Sequence, residues 1–278
     1  MKVISSVAEL SRAVNAPIAF VPTMGALHAG HQSLITKARK ISENVLVSVY
    51  VNPLQFESDE DLERYPRSPE VDEELAAAAG ATILWRPSQS DLYPNGVAKI
   101  SAGAIGGIYE GKRAGHFDGV LTVVNALFLK VEPTWAIFGE KDLQQLFLIR
   151  KMTNELHPTI NIISSETIRD NSGLALSSRN ARLSESEKQK AAIIFKSLIA
   201  ARSAKNLTDM KREMLAALAS QPEITLDYAE IIDGETFENA VADTQNKRAI
   251  IAGWINGIRL IDNMPMQENQ AESKLAAL

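Results

Sequence analysis

Short, nearly continuous apolar runs alternate with helical patterns through the first two-thirds of the chain. "PIAFVP" (17–22), "NVLVSVYV" (44–51), "ATILWR" (81–86), "WAIFG" (135–139) and "INIIS" (160–164) carry little polar alternation. They predict strands covered on both faces. Between them, Leu34, Ile35, Ala38 and Ile41 share one helical face, and so do Val120, Val123, Val124, Leu127 and Val131. Ser68 stands as an N-cap, Pro69 as a first helical residue and Gly80 as the stop of another helix. Strands and helices in this order predict an α/β fold with a parallel sheet and helices on both faces, over residues 1–170. Ligands of such sheets sit at the carboxyl ends of the strands, so the strand-to-helix junctions are where chemistry is sought.

The pattern changes over 171–278. Ser184 with Glu187 three residues later is a capping box ahead of a long helix, and a second helix is predicted over 208–219. "ITLDYAEIID" (224–233) and "RAIIAGWINGIRLID" (248–262) then predict strands separated by a turn-rich segment. Two helices followed by strands predict a smaller α+β domain. The Gly- and Ser-bearing stretch "RDNSGLALSSRN" (169–180) is the expected boundary, a hinge or a loop, and the tail "QENQAESKLAAL" is read as frayed or as a surface helix.

Composition narrows the classes. Of 278 residues, 45% are hydrophobic and 23% charged, too apolar for disorder. Lys plus Arg is 29 against 34 for Asp plus Glu, a net charge of −5, which argues against a general nucleic-acid binder and leaves room for a small basic phosphate pocket. With no cysteine, disulfides, thiolate metal sites and a thiol nucleophile are excluded. The N-terminus lacks a signal-peptide core, and no apolar run reaches the roughly 18 residues of a membrane span, so a cytoplasmic protein is expected.

Two of the four histidines fall in "FVPTMGALHAGHQSL", between a predicted strand and a helix expected to start near Gly30 or His31. A helix N-terminus offers unpaired N–H groups and partial positive charge to phosphate. Gly25 and Gly30 let backbone approach a ligand closely, and His28 and His31 can donate to phosphate oxygens as charge grows there. A zinc site would need further ligands from His116 and His157. Downstream, Asn52 and Gln55 place neutral amides at a strand end, where they can orient a nucleophilic carboxylate that an arginine would hold too tightly. Tyr65 and Arg67 suit the ordering of that loop. Lys141 is a point charge at a strand-to-helix junction, and Asp142 beside it suits a ribose hydroxyl, a Mg²⁺ ion or the helix N-terminus. Gln145, one helical turn on, is expected to face the same cleft. Lys112, Arg113 and His116 precede another helix, with the pyrophosphate or a dimer interface as the two candidates for their contact.

The H-x-G-H turn resembles the nucleotidylyltransferase superfamily, relatives of the class I aminoacyl-tRNA synthetases. "PTMGALHAGH", "VNPLQF", "YPR", "GHFDGVLTVV", "FGEKDLQQL" and "LALSSRN", in that order, resemble the pantothenate synthetase (pantoate–β-alanine ligase) family from residue 17 to 263. The resemblance implies a Rossmann-like domain followed by a lid domain, a homodimer, and MgATP-dependent joining of pantoate to β-alanine through a pantoyl adenylate. It assigns ATP contacts to Met24, Gly25, Ala26, Leu27, His28, Ala29, Gly30 and His31, then to Gly139, Glu140, Lys141 and Asp142. Ile168, Leu176, Ser177, Ser178 and Arg179 complete that set, the last three in a loop similar to the mobile lysine–serine loop of class I synthetases. Gln55 is implied to touch pantoate and β-alanine, and Gln145 to touch pantoate. His31, His28 and Lys141 are the implied catalytic groups, with His31 at the family's proton-donor position. Ala29 departs from the acidic or polar residue common there, so any role at that position is backbone only. Two other classes stay open at this point: a nucleotidylyltransferase acting on a phosphate-bearing acceptor, and a non-catalytic nucleotide-binding module.

Overall fold

The computed structural model describes residues 1–14 and 16–267. The chain divides into two compact units, Met1–Ile168 and Arg169–Leu278. In the first, strands β1 (Lys2–Ile4), β2 (Ile18–Thr23), β3 (Asn44–Val49), β4 (Ile83–Trp85), β5 (Trp135–Gly139) and β6 (Asn161–Ser165) form one sheet in the order β1-β4-β3-β2-β5-β6. Every neighbouring pair is parallel. The five apolar runs are β2 to β6 of this sheet. The edge strand β1, three residues long, is too short to show a pattern of its own.

The runs are apolar because both faces are covered. Phe20, Leu46, Trp85 and Phe138 pack with Val120, Val124, Leu127 and Phe128 of the helix His116–Val131. On the opposite face Val21, Val45, Val47, Leu84 and Ile137 pack with Leu34, Ile35 and Ala38 of the helix Ala29–Ile41, and with Ala76 of the helix Pro69–Ala78. Successive residues of β2 thus serve opposite cores, as the two-residue strand period requires. Phe20, Trp85 and Phe128 are at most 1% exposed, and each such burial contributes roughly 2–3 kcal/mol.

What positions the site is the sheet order. β3 and β4 lie on one side of β2 and β5 on the other. The chain therefore reverses its winding between β2 and β5, and the loops that leave these two strands diverge from a shared crevice at the carboxyl end.

In the second unit the antiparallel strands β7 (Thr225–Asp233), β8 (Lys247–Ile255) and β9 (Ile258–Pro265) lie in sequence order. The run 248–262 is two strands rather than one. Asn256 (φ 46°) and Gly257 (φ 71°) both adopt the left-handed conformation of a two-residue hairpin turn, and Ile255 pairs with Ile258 across it. The capping box forms: the Ser184 hydroxyl accepts from Glu187 N (3.3 Å) and the Glu187 carboxylate from Ser184 N (2.7 Å). The helix it opens is not long. It ends at Ala191, ψ flattens to −15° at Ala192, and a new helix runs Ile193–Arg202. Both pieces supply buried residues to one core, with Ala191, Ile194, Leu198 and Ala201 all at or below 2% exposure. The tail expected to fray or form a surface helix lies, from residue 268, outside the described residues.

Candidate active site

The loop after β2 is held from three sides. The Thr23 hydroxyl donates to Ser48 O (2.8 Å) and accepts from Gly25 N (3.2 Å). Gly25 (φ 79°) and Ala26 (φ 50°) are left-handed in succession. A Cβ on Gly25 would stand 2.8 Å from Asp72 Oδ2 and 2.9 Å from Val49 Cγ1. The small residue is thus demanded by the protein's own chain, a different reason from the ligand approach expected of it. Asp72 is buried, and its carboxylate accepts from Ala26 N (3.1 Å) and Leu27 N (2.8 Å). Ser68, expected to cap its helix, instead donates its hydroxyl to Asp72 Oδ1 (3.1 Å) and makes no side-chain cap bond.

The helix that follows starts at Ala29 with His28 as its N-cap. Gly30 N donates to His28 Nδ1 (3.1 Å), and His28 N donates to His31 Nδ1 (3.3 Å). Two imidazoles thereby take the places that Ser and Glu hold in an ordinary capping box. An imidazole that accepts at Nδ1 carries its proton on Nε2. The rings lie 4.2 Å apart between centroids, tilted by 50°. Burial, then the neighbouring His28 charge, pushes His31 down to about 3, with Lys141 adding to the effect and Asp142 opposing it. His28 is lowered by burial and next by Lys141, again against Asp142. Near neutral pH the pair is therefore uncharged and offers Nε2–H donors, and Lys141 and Asp142 lie within electrostatic reach of both rings.

Gln55 ends a short 3₁₀ turn, Pro53–Gln55. Its amide nitrogen donates to Met24 Sδ (3.1 Å), which ties it to the histidine loop. Its amide oxygen accepts from Asn52 Nδ2 (2.9 Å), and Asn52 also reaches Gly119 O (3.0 Å). Asn52 is only 1% exposed, so it acts as the support of Gln55 rather than as a second amide facing a substrate. His116 Nδ1 meets Gln55 O at 2.8 Å, and Arg113 pairs with the buried Glu110 (3.3 Å). The His116 contact fastens the start of the helix His116–Val131 to the Gln55 turn, while the Arg113–Glu110 pair stays within the turn that precedes the helix; neither internal role was among the expectations for these residues. Arg67 donates to the carbonyls of Leu62, Glu63 and Tyr65, and Tyr65 packs edge-on against Phe56, so both do order the loop after Gln55.

β5 ends at Gly139, and Glu140–Asp142 form a 3₁₀ turn before the helix Leu143–Leu156. Lys141 and Gln145 are therefore not one continuous α-turn apart. Lys141 Nζ lies 3.6 Å from Asp142 Oδ1; the lysine side chain is 19% exposed and the aspartate 50%. Gln145 is half-buried, and its neighbour Gln144 is fully buried. The Gln144 amide accepts from Glu110 N (3.0 Å) and donates to Ile105 O (2.7 Å) and Ile108 O (2.8 Å), a scaffold role that nothing in the doublet "QQ" signals.

Ile168 closes the first unit, while Leu176, Ser177, Ser178 and Arg179 belong to the second. Ser177 caps the 3₁₀ turn Ser178–Arg182 by accepting from Arg179 N (3.2 Å), and Asn180 Nδ2 holds Ala175 O (2.9 Å). The stretch 169–175 is a tied hairpin. Arg169 forms a two-pronged pair with Asp262, one prong at 2.9 Å, and stacks 4.4 Å over Phe195, while Asp170 Oδ1 accepts from Ser172 N and Leu174 N.

These features define an α/β protein of the H-x-G-H type, with its candidate site at the switch point of a parallel sheet. The chain belongs to the pantoate–beta-alanine ligase family, whose profile matches residues 1–265. A pantothenate synthetase of Acidothermus cellulolyticus is 42% identical over 269 residues, covering 92% of this chain and 88% of the relative. The crystal structure of pantothenate synthetase from Thermus thermophilus superposes with a TM-score of 0.92 at 40% identity, covering 96% of this chain and 99% of that one. A pantoate–beta-alanine ligase from Francisella tularensis, complexed with beta-gamma ATP and beta-alanine, gives 0.79 at 33% identity over 97% and 99% of the two chains. No helix among the described residues is long and apolar enough to cross a membrane.

Proposed function

We propose that the protein condenses pantoate with β-alanine at the expense of ATP, through a pantoyl adenylate. A pantoate carboxylate oxygen bonds to the α-phosphorus while the bond to the bridging oxygen breaks, and pyrophosphate leaves. The β-alanine amine then attacks the acyl carbon, loses a proton, and expels AMP with the oxygen that pantoate supplied. The observation that carries this reading is the histidine pair, held at both Nδ1 atoms by backbone and adjacent to Lys141. Fixed neutral donors stabilise charge that grows on phosphate oxygens without reorganising as it does so. In this reading the His31 position gives a hydrogen bond throughout the first step rather than a full proton.

Gln55, braced by Asn52 and touching Met24, would orient the pantoate carboxylate, and β-alanine in its turn, with Gln145 as the second pantoate contact. Lys141 would hold the phosphates. The ATP assignments of Met24 through His31, Gly139 through Asp142, Ile168, Leu176, Ser177, Ser178 and Arg179 follow from the family pattern, with 1–170 as the nucleotide and pantoate domain and 171–278 as a lid. Among the described residues no group of three or more metal-binding side chains comes together. Mg²⁺ bound mainly by phosphates and water fits such a site and would neutralise polyphosphate charge, with Asp142, 3.6 Å from Lys141, as a carboxylate that could join it. A homodimer working in the cytoplasm is part of the same proposal.

Pyrophosphate and AMP are followed from MgATP and pantoate, with and without β-alanine. A pantoate-dependent burst of pyrophosphate near one per site, with AMP and sustained turnover only after β-alanine is added, is the expected result. Pyrophosphate release that ignores pantoate would reject the reading and favour a phosphate-bearing acceptor.

A further inference from the structure

We infer that Asp72 is a positioning residue for the histidine pair, acting through the backbone from outside the reacting atoms. This rests on the reading of His28 and His31 given above. Asp72 lies in the first turn of the helix Pro69–Ala78, more than forty residues along the chain from the loop, and its side chain is the 2% exposed link between them. Three donors converge on it: Ala26 N at 3.1 Å, Leu27 N at 2.8 Å and Ser68 Oγ at 3.1 Å. Both amides belong to the turn that delivers His28. Ala26 is the non-glycine member of two consecutive left-handed residues, a conformation that persists only where surroundings enforce it. The carboxylate supplies that enforcement, since its two oxygens fix the N–H directions of Ala26 and Leu27 together. Leu27 is buried in the core on its other side, which pins the turn against rotation.

From there the path to the imidazoles is one residue long. The direction of the chain leaving Leu27 sets where His28 begins its helix, and His28 N is the donor that orients His31 Nδ1. Gly25 belongs to the same device, because its missing Cβ is what lets Oδ2 come so close. Nothing in this linkage needs a ligand, so its effect on the rings exists in the free protein.

The test is Asp72→Asn, which keeps the shape but turns one acceptor into a donor facing Ala26 N or Leu27 N. Two readouts are taken: imidazole ¹⁵N signals of the ligand-free protein, and kcat and KM for pantoate-dependent pyrophosphate release. Expected are a shift of His28 and His31 from Nε2–H alone toward a tautomer mixture, and a fall in kcat of about tenfold to about a hundredfold with a much smaller change in the KM for pantoate. Wild-type imidazole signals together with a wild-type kcat would overturn the inference. If Asn at 72 prevents folding, Asp72→Glu keeps the charge but moves both acceptor oxygens by one methylene away from their places against Ala26 N and Leu27 N, and the same two readouts decide in the same directions. The NMR arm is independent of the reaction: should the wild type release no pyrophosphate, the proposed function falls while the Asp72 linkage is still judged on the rings.

Discussion

Replacing Gly119 by alanine should injure pantoate handling without touching any group assigned to ATP. Gly119 lies in the first turns of the helix His116–Val131, where the helix presses on the backbone of the Gln55 turn. A Cβ there would stand 2.2 Å from Leu54 O, 2.4 Å from Leu54 C and 2.8 Å from Gln55 N, whereas ordinary contact begins near 3.4 Å. All three obstacles are backbone, so no rotamer change relieves them, and the helix and the turn must part by about 1 Å. That parting stretches Asn52 Nδ2–Gly119 O from 3.0 Å and His116 Nδ1–Gln55 O from 2.8 Å toward breaking. Overpacking of this kind costs about 1–3 kcal/mol, and an error of about 1 Å in a positioning group costs up to about a hundredfold in rate. Steady-state kinetics with each substrate varied, beside thermal unfolding, measure both. The expected pattern is a lower Tm and a kcat/KM for pantoate reduced by about tenfold or more, with the KM for ATP changed far less. A variant with wild-type pantoate kinetics and wild-type Tm would refute the claim that this contact sets Gln55.

Other outcomes follow from the same geometry. His28→Asn should keep the helix cap, because asparagine accepts from backbone N–H as well as any residue does; unfolding should stay within about 1 kcal/mol of wild type while pantoate-dependent pyrophosphate release falls about a hundredfold, and equal losses of both would argue for a purely structural histidine. Burial holds His31 near 3 against an ordinary 6.5, so the unfolded chain binds the extra proton between those values. Its contribution is complete above about pH 6.5 and is lost as pH falls toward about 3, with about 2 kcal/mol gone between pH 7 and pH 5; urea titrations of wild type and His31→Gln at both pH values should differ by that amount, and parallel curves would contradict it. Asp262→Ala strands the Arg169 guanidinium in a largely buried site and should destabilise the second unit by about 3 kcal/mol, read from denaturant midpoints, with no loss at all as the opposing result.

The architecture was legible where one face or one repeat dominates. Apolar runs marked five of the six parallel strands because both faces of each are covered, and Ser184 with Glu187 marked a helix start because a capping box is local. The hairpin at Asn256–Gly257 was also local, yet the apolar residues on either side masked it as one run. The break at Ala192 carries no glycine or proline and leaves no trace in the pattern. At the site, the histidines, Lys141 and Gln55 announced themselves by residue type at strand ends. Their supports did not. Asn52 looked like a second substrate amide until its bonds to Gln55 and Gly119 were seen. Asp72 is one acid among several on its helix, and Gln144 is half of a doublet, because contacts spanning 45 and 34 residues leave no local period to read.

The most direct test of the adenylate is the fate of oxygen. Pantoate labelled with ¹⁸O in its carboxylate is turned over with β-alanine and MgATP, and AMP and pyrophosphate are weighed by mass spectrometry. One ¹⁸O per AMP formed and none in pyrophosphate is the expected result, since in the proposed first step the carboxylate oxygen bonds to the α-phosphorus and leaves with it. Unlabelled AMP, or label in pyrophosphate, would contradict it.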